Sequence, residues 1–201
     1  MTDLDVRAYT LAHGLAYEAY LDAWRPKLTA PLVGLSVEDR RNLLYSRYNW
    51  ERSEHVHAVY HPSERLAAAL GRIRSPQIWV VLNEDWCMDG AFTLPVFAEA
   101  SRRCSFVELR VLPRDLHPAI MDRYLTNGAR AIPKVVGLGE TGQELFVWGS
   151  RPTAANAFRE GLLGQGVEKG EVSKRLVDWY AAGGYATVDP ELADLLERAE
   201  R

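Results

Sequence analysis

Cys87 stands in Trp86-Cys87-Met88-Asp89-Gly90, just after the strand-forming run Gln77 to Leu82 and the turn-like Asn83-Glu84-Asp85. A helical pattern broken by Pro95 follows. This layout puts a thiol at the mouth of a helix, where unpaired N–H groups carry partial positive charge and favour a thiolate. The chemistry open to such a thiol is nucleophilic exchange with disulfides. A dithiol pair needs a second cysteine three residues on, and that position is Gly90. The other cysteine, Cys104, lies beyond the intervening helix. About fourteen helical residues span roughly 20 Å, whereas a disulfide needs Cα atoms less than about 7 Å apart. Cys104 is therefore expected to be a small buried residue ahead of the Phe106 to Val111 strand.

The reactivity of Cys87 is finely balanced at this level. A helix N-terminus contributes about 0.3–1 kcal/mol to a nearby anion, less than the ~1.36 kcal/mol equivalent to one pKa unit. Glu84, Asp85 and Asp89 oppose it by like-charge repulsion. Asp89 has an ordinary structural alternative as a cap for the N–H groups of the first turn. An unshifted thiol is about 3% ionised at pH 7.

The elements that must position this thiol follow from hydrophobic period and turn chemistry. Leu4, Ala8, Leu11, Leu15, Ala19 and Trp24 share a helical stripe over 4 to 24, ended by Pro26. Tyr9, Tyr17, Tyr20 and Trp24 are expected to dock that helix on the core, and an exposed remainder would mark a homodimer or partner surface. Residues 26 to 35 form a connector. Ser36 caps a helix to about residue 54, and His61-Pro62-Ser63 opens another. Strands are expected at about 77–82, 105–111, 134–139 and 144–149, the last two joined by the hairpin turn Glu140-Thr141-Gly142-Gln143. Asp115 to Leu125 is expected to be helical, with Asn127-Gly128 as its left-handed stop. Helices near 152–163, 171–182 and 189–200 complete the chain.

Two separated segments resemble the thioredoxin superfamily. Trp86-Cys87 follows a buried strand and opens a helix carrying Pro95 eight residues later, and Arg130-Ala131-Ile132-Pro133-Lys134 is similar to the Arg-x-Ile-Pro turn that leads into a core strand. Trp86-Cys87-x-Asp89, with Leu125-Thr126-Asn127-Gly128 and Trp148-Gly149-x-Arg151-Pro152, resembles a bacterial single-cysteine branch. The resemblance covers roughly residues 60 to 165. It implies an α/β fold, a thioredoxin-like mixed sheet flanked by helices, with an N-terminal helical extension over 1–60, a core over 61–165 and a C-terminal helical extension over 166–201, together one compact unit. It also implies Cys87 as the catalytic group, a cis Ile132–Pro133 bond facing it, and Trp86, Asp89, Ile132 and Pro133 as substrate-binding residues. The buried carboxylate that thioredoxins place six residues before the cysteine is Val81 here.

Composition narrows the function further. The 201 residues are 47% hydrophobic and 25% charged, enough for one substantial core, and the net charge of −3 with scattered arginines argues against nucleic acid. The acidic start Met1-Thr2-Asp3-Leu4-Asp5 and the lack of a long apolar run point to a cytoplasmic protein without a membrane partner. His55-x-His57-x3-His61 is poorly spaced for a metal, so none is expected. Two functions remain open. One is monothiol thiol-disulfide exchange with protein or peptide thiols, without a cofactor but with a low-molecular-weight thiol as co-substrate. The other is a redox-inactive module that binds peptides or proteins through the same rim.

Overall fold

The computed structural model describes residues 4–199. The N-terminal stripe does not form one helix. Helix α1 (Val6–His13) is capped by Asp5, which accepts from the Ala8 N–H at 3.0 Å; the two-residue strand β1 (Leu15–Ala16) follows, then α2 (Tyr17–Trp24). The break falls at Gly14, where a Cβ would lie 2.7 Å from the Thr10 carbonyl oxygen and 3.0 Å from the Arg110 Cβ. Only bare backbone lets the chain close against the sheet there.

The connector contains a 3-10 turn, Arg25–Leu28. Ser36 caps α3 (Val37–Val59), which runs past the expected end at 54. Ser63 caps α4 (Glu64–Leu70). Next come β2 (Gln77–Asn83), α5 (Met88–Arg102), β3 (Val107–Pro113), α6 (Pro118–Met121), β4 (Lys134–Leu138) and β5 (Glu144–Gly149). Helices α7 (Thr153–Gly164), α8 (Lys169–Ala181) and α9 (Val188–Ala199) finish the described chain. Residues 1–3 and the expected helix end at 200 lie outside it.

One expected helix is mostly absent. Within 115–125 only Pro118–Met121 is α-helical, and Asn127 (φ 50°) and Gly128 (φ 78°) instead form a two-residue turn. Thr126 and Ala129 exchange N–H···O bonds of 2.9 and 3.0 Å across it. Asn-Gly supplies the two positive φ angles such a turn demands, so the local signal was sound but belonged to a miniature hairpin.

The sheet is mixed, in the order β1-β3-β2-β4-β5, with β2 and β3 parallel and the other pairs antiparallel. At its centre Val81 stands opposite Val111 on one side and Val135 on the other. Alternation sends Trp79, Val81, Val111 and Val135 to one face, against α5, α8 and α9, and Ile78, Val80, Leu82 and Val136 to the other, against Ile120, Met121 and Tyr124. The N-terminal aromatics are divided between these faces: Tyr17, Tyr20 and Trp24 join the first, while Tyr9 lies on the second with its hydroxyl 3.0 Å from the His117 Nδ1. Gly14 is the cause, because it turns α1 and α2 to opposite sides of the sheet.

Candidate functional site at Cys87 and the Pro133 loop

Strand β2 is buried from Ile78 to Asn83, so its carboxyl end delivers the next residues to the rim of the core. The chain turns there, the Cys87 N–H donating to the Glu84 carbonyl at 3.0 Å, and Cys87 becomes the N-cap of α5. The opposite wall is the Ile132–Pro133 loop, whose peptide bond is cis. The Cys87 Sγ donates to the Ile132 carbonyl oxygen at 3.4 Å. Cys87, Ile132 and Pro133 are thus brought together as expected from the two segments.

The thiol itself departs from expectation. Cys87 is only 7% exposed and belongs to the apolar cluster that also holds Leu82, Met121 and Ile132. Burial, and secondarily the Asp89 carboxylate, pushes its pKa up to about 12, against the opposing pull of the Gly90 and Asp89 N–H groups and Arg151. Desolvation outweighs the helix N-terminus. Cys104 is also buried, but it belongs to the other apolar cluster and lies beyond the far end of α5.

Asp89 does not cap the helix. It is buried, and its carboxylate meets the Arg151 guanidinium in a fork, Nε to Oδ1 at 3.1 Å and Nη2 to Oδ2 at 2.5 Å. The Tyr180 hydroxyl donates to Oδ1 at 2.9 Å, and the Tyr180 ring stacks on Phe92 with centroids 5.0 Å apart. Arg151 therefore holds an anion that the chain itself provides. Such a fork fixes the first turn of α5 against the segment after β5 and against α8. With both carboxylate oxygens engaged, Asp89 is positioned to shape the site electrostatically.

The place of the absent second thiol is filled. An added Cβ at Gly90 would lie 2.1 Å from the Asn83 Oδ1, and Asn83 is itself buried, donating from Nδ2 to the Tyr20 hydroxyl at 3.2 Å. Its Oδ1 makes no hydrogen bond. Where thioredoxins keep a buried carboxylate, Val81 is fully buried among apolar residues.

The outer rim is basic but largely neutralised. The Arg114 guanidinium sits 4.9 Å from the centroid of the half-buried Trp86 ring and also binds Asp115 at 2.8 Å. Arg130 forks onto Asp122 at 2.6 and 2.7 Å. Lys134 is buried and donates to the Thr126 Oγ1 at 2.7 Å and the Gly149 carbonyl at 3.1 Å, and burial holds its amine below the usual lysine range. Glu84 accepts from the Asp115 N–H at 2.8 Å, and burial raises its pKa. Asp85 is buried against Lys27.

Three of these residues escape sequence reasoning. Tyr180 comes from a late amphipathic helix with nothing to mark it, and Asn83 resembles any turn former. Lys134 directly follows the proline and looks like an ordinary exposed lysine. His57, poorly spaced for a metal, is an internal bridge, its Nδ1 2.8 Å from the Glu99 Oε1 and its Nε2 2.7 Å from the Tyr17 hydroxyl. Among the described residues no group of three metal-ligating side chains converges, and no helix is long and apolar enough to cross a membrane.

A mixed sheet with a cysteine capping the helix after its central strand, facing a cis-proline loop, defines a protein of thioredoxin-like fold. A family profile described as thioredoxin matches residues 39–162, more than half the chain, and the chain belongs to that family. Two solved structures share the fold over 96% of this chain and 96% of their own. One is a protein of unknown function from Pseudomonas aeruginosa, at 18% identity and TM-score 0.57, and the other is an HIV epitope-scaffold, at 19% and 0.60. No functionally curated protein matches the sequence.

Proposed function

We propose that this chain is a redox-inactive peptide- or protein-binding module of the thioredoxin fold, with Cys87 resting as a protonated thiol in its binding rim. The carrying observation is the state of that thiol, buried and donating to the Ile132 carbonyl with its pKa near 12. At that pKa the thiolate fraction at pH 7 is on the order of 10⁻⁵, too small for competent exchange. The filled space at Gly90 and the apolar Val81 support the same reading, because they leave neither a resolving thiol nor a proton acceptor at the usual positions. The partner would be an extended peptide segment gripped by Trp86, Ile132 and Pro133.

A second reading, monothiol exchange with a low-molecular-weight thiol as co-substrate, is favoured by one feature. The Asp89 and Gly90 N–H groups and the Arg151 charge all act to stabilise a thiolate at Cys87. A partner that displaced the Ile132 contact would let them act. Intact mass after incubation with glutathione disulfide at pH 7.5 separates the two. The binding module leaves the folded protein unmodified, whereas an adduct lost in Cys87→Ser supports exchange. In pull-downs the module retains its partner in Cys87→Ser and loses it in Trp86→Ala.

A further inference from the structure

Three rings from two elements far apart in the chain meet away from the thiol rim. Tyr9 and His13 lie one turn apart on α1, with ring centroids separated by 4.4 Å, and His117 is the N-cap residue of α6. The Tyr9 hydroxyl is 3.0 Å from the His117 Nδ1, and the two rings meet edge-on with centroids 5.7 Å apart. Tyr9 thus touches both imidazoles and holds them side by side, their centroids 6.3 Å apart. The His117 side chain does not cap its own helix. Among the described residues its Nε2 and both ring nitrogens of His13 have no hydrogen-bond partner. His13 is exposed and His117 half-buried, so the pair opens to solvent.

Neutral imidazole is a favoured ligand for divalent zinc, copper and nickel. With metal–nitrogen bonds of about 2.0–2.1 Å, two imidazoles on one ion have ring centroids roughly 5–6.5 Å apart, and this pair already stands at 6.3 Å. A ligating histidine gives its other ring N–H to a fixed acceptor, which sets the tautomer and the ring orientation. The Tyr9 hydroxyl is such an acceptor for His117: when Nδ1–H donates to it, the lone pair of Nε2 is left for an ion. The cations on neighbouring elements are already matched. Arg110, which reaches the Gly14 carbonyl at 3.1 Å, is paired with Glu108, and Arg114 is paired with Asp115.

We infer that His13 and His117 form a two-histidine site for a divalent transition-metal ion, with Tyr9 orienting His117 and water completing the coordination shell. Structural zinc sites are closed by four protein ligands, so a site with two is exchangeable and binds in the micromolar range. The ion ties α1, in the N-terminal extension, to the start of α6, in the core.

Isothermal titration of zinc chloride into the untagged full chain, at pH 7.5 in a buffer that does not chelate, tests this. The expected result is one ion per chain, with affinity lowered at least about tenfold in His13→Ala and in His117→Ala. The double variant His55→Ala, His61→Ala, which removes the other exposed histidines, should bind as the parent does. Tyr9→Phe keeps both ligands without the hydroxyl and should weaken binding about tenfold. Millimolar zinc should raise the melting temperature of the parent but not that of His13→Ala, with circular dichroism to confirm that the variant is folded. Absence of binding up to millimolar zinc overturns the inference. So does binding that survives His13→Ala and His117→Ala, or that is lost in the His55, His61 double variant. Undiminished binding in Tyr9→Phe would contradict the orienting role. Cys87→Ser should retain the ion, so the outcome stands apart from the binding-module reading.

Discussion

The Asn83 carboxamide occupies the space that a side chain at position 90 would need: an added Cβ there would meet the Asn83 Oδ1 at 2.1 Å. Asn83 ends β2 and Gly90 lies in the first turn of α5, so the absent second thiol is a matter of packing between two elements as well as of residue choice. Gly90→Ala is expected to lower stability by about 1–3 kcal/mol, the usual range for overpacking. In the Asn83→Ala background the same change should cost measurably less. Chemical denaturation of the four proteins of this cycle gives the coupling, and simple additivity would show that the two residues do not compete for one space.

The Asp89–Arg151 pair makes opposite predictions for stability and for acidity. Asp89→Ala leaves a largely buried guanidinium without its anion and the Tyr180 hydroxyl without its acceptor, so a loss of about 3–5 kcal/mol is expected. Asp89→Asn removes the carboxylate that, after burial, most raises the Cys87 pKa. Its thiol should therefore be more acidic than the parent's yet still above the ordinary range, because the larger cause remains. Alkylation rates against pH in the two proteins check this; an unchanged or higher pKa in Asp89→Asn would refute the electrostatic assignment.

Glu84 carries a pH signature of its own. Burial raises its folded pKa above the unfolded value of about 4.3. Between those two values the native state binds more protons than the unfolded state, so this group's contribution to stability falls as pH rises through the window. Glu84→Gln, which retains an acceptor for the Asp115 N–H, should melt higher than the parent at pH 7. The two should converge below about pH 4, where both states of the parent are protonated. Melting curves at the two pH values decide it, and a variant less stable at pH 7 would reverse the sign.

Local signals carried much of this fold into the sequence. Ser36 and Ser63 cap the helices they announce, the apolar runs of β2 and β4 form neighbouring strands, and the Cys87 and Pro133 segments meet as the resemblance implies. What stayed hidden depends on distant partners. Gly14 breaks a convincing helical stripe because Arg110, far along the chain, packs on it. Asp89 looks like a cap until Arg151 and Tyr180, 62 and 91 positions away, are brought to it. The burial of the thiol was equally illegible, because the N–H groups of a helix mouth are written locally while the Ile132 carbonyl that takes the thiol's hydrogen bond comes from another element. Charges near in sequence proved a poor guide for the same reason: Asp85 is buried against Lys27, and Glu84 binds a backbone N–H.

The central claim is that Cys87 rests as a protonated, inaccessible thiol, and its alkylation rate as a function of pH tests this most directly. The experiment uses the Cys104→Ser variant, with intact mass to identify the product and the denatured chain as reference. The account predicts that the denatured thiol titrates near 8.5, whereas the folded protein shows no inflection up to pH 10 and reacts orders of magnitude more slowly at pH 7. A folded-state pKa at or below about 8.5, with rapid modification at neutral pH, would contradict it and make thiol exchange the better account of this protein.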